Sequence, residues 1–424
     1  MLFPPTSIMT ITCRPKRNAP GIYCPDEGGQ VFMRPDFSPR IMAILLAALV
    51  ALTPFSVDTY LPAMPAMALW FDTHMGMVEM SLGAFFMGYA MGQLVGGPLS
   101  DHYGRRRVGG PGVAIFFLAT VAIIFAPNIE TVILGRFIQA FGGGFVTVIA
   151  PSVVRDRFSG KQAARMFALI GLVMLLAPLV APAVGALLLK FADWRLIFVF
   201  LAGYAMISLG VIAFCLPERK KALTEKLNMA KVWDGYRQVL THPRAMGYMI
   251  TMTFSSAVMF LFITGSAFAY ITYLEVSTDM FPILFGANVV TMMVFNRLNP
   301  FLLNIFSPHQ LTGVGITIQL LANVALWAGQ YIDPLNLYMV MPMVMVAIGS
   351  LGIIMSNSFA CYLEDFKDNS GTAVALLGSF QFAMAAILST ILGYFHSDTI
   401  MPMTTLMLMS SIIAVLSYRL LTRR

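Results

Sequence analysis

Long apolar runs recur from residue 41 to residue 420, separated by short polar turns, and a bilayer is the solvent that tolerates so many of them in one chain. Runs of about 18 to 25 residues fall near 41–62, 78–99, 108–126, 131–153, 165–189, 195–216, 246–270, 281–303, 309–330, 335–361, 371–394 and 399–420. The chain has 424 residues, 58% hydrophobic and 11% charged, more apolar surface than one water-soluble core can hide. The expected fold is therefore an all-α membrane protein with roughly twelve transmembrane helices. An even number of crossings puts both termini on one side.

The basic residues give the orientation. If the first run enters from the cytoplasm, all but three of the 27 Lys and Arg fall on the cytoplasmic side, the exceptions being Arg136, Lys190 and Arg195. The net charge of +7 is thus explained by topology, and no nucleic-acid partner is required. Both termini are expected in the cytoplasm, in the inner (plasma) membrane of the cell. Cys13, Cys24, Cys215 and Cys361 all fall in the tail or near cytoplasmic helix ends, so no pair faces an oxidising compartment. Nothing has metal-ligand spacing, the five histidines sit at loops or run ends, and no nucleophile and base share a run. The expectation is a non-enzyme without cofactor or metal.

Four segments follow from this pattern. Residues 1–40 read as a flexible cytoplasmic tail, not a cleavable leader, with Met33 a candidate start of translation. Residues 41–216 form a first six-helix bundle and 245–424 a second. Between them 217–244 carries seven basic residues and an amphipathic middle, as expected of a linker helix on the inner membrane surface.

Two charges interrupt the apolar runs. Counting from Arg40 at about 1.5 Å per residue puts Asp58 roughly 27 Å along its helix, either in the outer part of the membrane or as a cap just beyond it. An acid at that depth is costly unless it faces protein or a watery cavity, which makes it a functional candidate. Arg136 lies one to two turns into the fourth run at a similar depth, and needs a carboxylate, a carbonyl or water. Asp58 is the only other charge clearly inside a run, so the two are the expected proton-coupling residues, Asp58 poised between burial and a neighbouring guanidinium. The alternative is a structural pair that never changes protonation.

The stretch Gly97-Pro98-Leu99-Ser100-Asp101-His102-Tyr103-Gly104-Arg105-Arg106-Arg107 must turn tightly between two runs, with Gly104 permitting a strained backbone and the arginines holding that end in the cytoplasm. Gly97, Leu99, Ser100, Asp101, Gly104, Arg105 and Arg106 resemble the loop after the second helix of major facilitator superfamily transporters, although His102 stands where that family often has a basic residue. Arg136, Gln139 and Gly142 are similar to the fourth-helix motif of proton-coupled members. The run around Pro178, Pro182 and Gly185 resembles the fifth-helix antiporter signature, with Ala181 and Ala186 where glycine is more usual. Together with Asp58-Thr59-Tyr60-Leu61-Pro62-Ala63-Met64-Pro65, these stretches look most like the bicyclomycin and chloramphenicol resistance branch of drug:proton antiporters.

The resemblance implies two bundles around a cavity that alternates its access, with proton entry expelling small amphiphilic drug-like compounds. A proton symporter importing a small metabolite would share the fold and differ in direction of flux. Gly97, Asp101, Gly104, Arg105, Arg106 and Asp156 are expected to gate the cytoplasmic end, and Pro178, Pro182 and Gly185 to form a hinge. Candidate substrate contacts are Tyr60 and Gln139 in the first half, and Phe268, Tyr270, Asn288 and Gln381 among the aromatics and methionines of the second. Gly88, Gly92 and Gly96 mark a close helix contact, static or sliding. The partners expected are substrate, protons and lipid, around a monomer.

Overall fold

The computed structural model describes residues 39–158, 160–216, 229–331, 336–364, 366 and 370–422. Every described element is helical. In the first half, α1 (Pro39–Asp58), a 3-10 turn (Leu61–Ala63) and α2 (Met64–Trp70) make one crossing. The run expected to stop at 62 continues to Trp70, because Pro62 and Pro65 fall at the starts of the turn and of α2, where a missing N–H costs nothing. α3 (Met75–Tyr103) and α4 (Arg105–Ile124) follow, then α5 (Ile129–Thr147), whose Asn128 cap accepts the Thr131 N–H at 3.0 Å. α6 (Ile149–Arg157) extends α5, and α7 (Gly160–Leu188) and α8 (Arg195–Gly210) complete the half, α8 passing into a π turn (Val211–Cys215).

Of the expected linker, α9 (Met229–Leu240) is helical, and residues 217–228 lie outside the described ones. The second half comprises α10 (Pro243–Ala267) with a π segment (Phe268–Tyr273), α11 (Phe281–Leu302), α12 (Pro308–Gly329), α13 (Leu337–Gly349) continued by α14 (Leu351–Leu363), α15 (Ser370–Tyr394) and α16 (Met401–Leu421). Ser307 and Gln310 form a reciprocal capping box at the start of α12. Among the described residues, eleven helical stretches are long and apolar enough to cross a membrane. α3 is less apolar, but its 29 residues join two crossings whose facing ends lie on opposite sides, so it is the twelfth.

The glycine stripe of α3 serves static packing within the first half. A Cβ at Gly88 would strike the Phe137 carbonyl, one at Gly92 the Phe141 carbonyl and one at Gly96 the Phe145 backbone, while one on Gly144 of α5 would strike the Tyr89 carbonyl. Main chains of α3 and α5 therefore touch, which only small residues permit.

The two halves meet along α3 and α15, along α7 and α11, and where α10 touches the first crossing. Tightest is the end of the molecule holding His396: a Cβ at Gly76 would enter the Gly393 carbonyl, one at Gly393 would reach the Gly76 carbonyl, and Gly83 abuts Ala386 and Thr390. Leu179 of α7 fills the space at Gly286 of α11. At the opposite end, which holds Arg105, added side-chain atoms at Gly97 and Gly171 would meet open space. The halves are sealed at the His396 end.

Candidate functional site

Asp58 is the last residue of α1 and only 3% exposed. Its neighbours offer it nothing: the Ser56 and Thr59 hydroxyls donate back to the Leu52 and Phe55 carbonyls at 2.7 and 2.5 Å. Among the described residues, Asp58 forms no ion pair.

Arg136, expected opposite that acid, is fully buried in a box of aromatic rings instead. Its guanidinium carbon lies 4.7 Å from the Tyr60 ring centroid, 4.3 Å from Phe85 and 6.0 Å from Phe198. Nη1 donates to Gln139 Oε1 at 2.8 Å, one helical turn away, and Gln139 Nε2 donates to Thr120 Oγ1 at 2.7 Å. The Tyr60 hydroxyl is held by Ser81 at 2.8 Å. The difference from expectation has a local cause. The α-helix ends at Asp58, and the following turn swings Tyr60, rather than the carboxylate, over the guanidinium.

Aromatic faces offset part of the cost of burying that cation, about 2 kcal/mol for a desolvated contact. Nε and Nη2 of Arg136 have no acceptor, and each buried unmet donor costs roughly 1–3 kcal/mol. The rings do not cover this, so the site keeps two permanent donors ready for an acceptor. A lone acid sits in the same half, displaced from them by one bend of the chain.

Of the other anticipated contacts, Tyr60 and Gln139 are brought to Arg136 and the rest form separate groups. Gln381 is half-buried and donates to Ser256 Oγ at 2.9 Å. Asn288 donates to the Leu284 carbonyl at 3.0 Å, and its side chain faces the Tyr270 hydroxyl. Tyr270 is fully buried between Phe262 and Phe281, and Phe268 lies 4.6 Å from the His396 ring, so both belong to the packed His396 end.

At the Arg105 end, Gly104 caps α3 with φ of +102°, a region that favours glycine. Arg105 is buried, and its Nη1 meets Asp101 Oδ1 at 2.5 Å and Ser100 Oγ at 2.8 Å. Arg106 is half-buried; the side chain of Asp156, in α6, lies outside the described ones. Pro178 and Pro182 sit within one continuous helix, and Gly185 receives the Thr59 main chain at a distance that excludes any side chain. α7 thus grips the backbone immediately after Asp58.

Two features escaped the sequence reading. An aromatic plug joins the halves: Tyr89 lies 4.4 Å from Phe382, Phe86 5.0 Å from Phe260, and Phe260 5.1 Å from Phe382. The spacing of Phe86 and Tyr89 on one face of α3 was the available signal. The other is Glu79, 1% exposed, a second buried acid that corrects the view of Asp58 as the sole acid within the bundle. Its Oε2 lies 3.3 Å from Nδ1 of His396, in the loop between α15 and α16, within ion-pair reach but without an aligned hydrogen bond. Among the described residues, no group of three or more metal-ligating side chains comes together.

Residues 46–419 match the model of the Major Facilitator Superfamily. The chain is 31% identical over 388 residues to a bicyclomycin resistance protein homolog of Haemophilus influenzae, covering 91% of this chain and 97% of that one. It is 31% identical over 279 residues to the multidrug transporter MdfA of Yersinia pestis, covering 63% and 68%. Among solved structures, a bacterial homolog of the human lysosomal transporter Spinster superposes with a TM-score of 0.71 at 16% identity, covering 91% and 97%. A D-xylose-proton symporter follows with 0.67 at 14%, covering 90% and 97%. The architecture of twelve crossings in two halves and the match over nearly its whole length agree: this chain belongs to the Major Facilitator Superfamily, a family of multi-pass membrane transporters and not of enzymes.

Proposed function

We propose that this protein is a proton-coupled efflux transporter of the inner membrane that expels small amphiphilic drug-like compounds by alternating access. The observation that carries the reading is a buried Asp58 without an ion-pair partner in the same half as a caged and under-satisfied Arg136, the two held apart by the turn after Asp58. The names of the relatives, a bicyclomycin resistance protein homolog and a multidrug transporter, support the substrate class.

An acid that passes between a dry bundle and an open, watered cavity, nearer to or farther from a guanidinium, changes its hold on a proton. Rocking of the halves changes both. With the cavity open outward, Asp58 takes a proton from outside and substrate leaves; open inward, it gives the proton up and substrate rebinds. Proton and substrate need only prefer different states of the cavity for their fluxes to be coupled. The positive-inside pattern makes the Arg105 end cytoplasmic and the sealed His396 end outer, with both termini inside.

Expression in a host lacking its own efflux transporters, scored against a compound panel, tests the reading. Raised resistance to several amphiphilic compounds, abolished by an uncoupler of the proton gradient, is expected. Uptake of a metabolite with the gradient, and no change in resistance, would establish the symporter instead.

Arg105 and its partners are the proposed inner gate. Arg105→Ala removes charge-assisted hydrogen bonds to Asp101 and Ser100 and is expected to slow turnover about tenfold, the weight of one such contact, with gel-filtration behaviour intact. Unchanged turnover in proteoliposomes would count against a gating role.

A further inference from the structure

The Glu79–His396 contact does nothing in the cycle just described, yet it bridges the two halves at their tightest seam. Glu79 is on α3, one turn past Gly76, and His396 follows α15, just past Gly393, so the pair stacks on the spot where those two main chains touch. The carboxylate is almost wholly buried and the imidazole 15% exposed, its ring backed by Phe268. Farther out, the exposed pair Lys190–Asp279, at 2.7 Å, also joins the halves, but exposed pairs contribute little.

We infer that Glu79 and His396 form a proton-operated latch on the outer mouth, closed while the two side chains hold one proton between them and released when that proton leaves to the outside. A bare carboxylate facing a neutral imidazole, with no proton on the pair, leaves an unpaired charge out of water that the buried seam does not tolerate, and a second proton would leave an unpaired imidazolium in the same way. Carboxylate with imidazolium and carboxylic acid with imidazole both satisfy it, and each contains one proton.

When the mouth opens, both groups reach water. At neutral or alkaline pH the imidazole is then neutral and the carboxylate ionised, so opening releases one proton and closing takes it up. The same face of the bath supplies and receives it, so the latch carries no net proton across the membrane. It makes the resting conformation depend on external pH, whatever compound is transported.

The charged and titratable groups around the pair are few. His74, the N-cap of α3, faces Glu79, and Tyr273, from the π segment after α10, packs on Phe268 behind the imidazole. Asp72, Glu275 and Asp398 at the same rim are exposed. His74 is therefore the group whose titration must be separated from the latch.

The test is a distance measured between spin labels at Thr73→Cys and Tyr394→Cys, in full-length protein freed of its native cysteines and reconstituted in lipid nanodiscs without substrate. The ratio of closed to open mouths is expected to fall about tenfold per unit rise in pH through the neutral range, the slope for one linked proton. Glu79→Gln should lose the slope and stay closed. His396→Gln should shift the transition to more acid pH, since a lone buried carboxylate must then bind the proton unaided. The exchange Glu79→His with His396→Glu should restore the slope, which separates the latch from mere packing and from misfolding. Retention of the slope in Glu79→Gln, its absence in the unaltered pair, or its loss in His74→Gln would each overturn the proposal.

Discussion

An Asp58→Asn variant is expected to bind its compounds and to lose gradient-driven efflux completely, down to the level of vesicles without protein. The side chain keeps its size, and its burial becomes easier because an amide never has to be charged in the bundle. What disappears is the ability to change ionisation as the halves rock. Counterflow, which exchanges compound for compound without net proton movement, should survive in the same vesicles. Gradient-dependent transport at the original rate would remove Asp58 from the mechanism, and loss of counterflow as well would point to a damaged fold.

For Arg136→Met, activity and stability should move in opposite directions. Methionine fills much of the space between Tyr60, Phe85 and Phe198 and packs well on aromatic rings. It also removes two donors without acceptors, each a burden of roughly 1–3 kcal/mol. Thermal unfolding in detergent should therefore occur at the same temperature or higher, as when buried ionic groups are replaced by apolar ones of similar volume. Transport should be lost, because no guanidinium remains to draw the proton from Asp58. Retained transport would make Arg136 a structural residue, and a sharp fall in stability would mean that the cage depends on its cation.

The crossings were legible because a bilayer demands long uninterrupted apolar runs, and the two charges stood out against that background. Their relation was not legible. It turns on one bend after Asp58, where the helix gives way to a 3-10 turn and a neighbouring tyrosine takes the place assigned to the acid. Glu79 does not stand out in the sequence because it lies one turn from the start of its helix, where acids ordinarily reach water; its burial involves a loop more than 300 residues later. The aromatic plug was hidden for another reason. The chain has 33 Phe, and a ring that faces lipid and a ring that faces the opposite half obey the same pattern in one dimension. The turn at Gly104 was readable in detail, since its shape is set by residues adjacent in sequence.

The modest apolarity of α3 has a consequence for biogenesis. A charged residue at the centre of a nascent helix disfavours its passage from the translocon into lipid by about 2.5–3.5 kcal/mol, less near its ends, and α3 carries Glu79, Gln93 and Asp101. Its stable entry awaits α5, whose main chain its glycines meet and whose Gly144 receives it in turn, so the ribosome must deliver the fourth crossing before the second is committed.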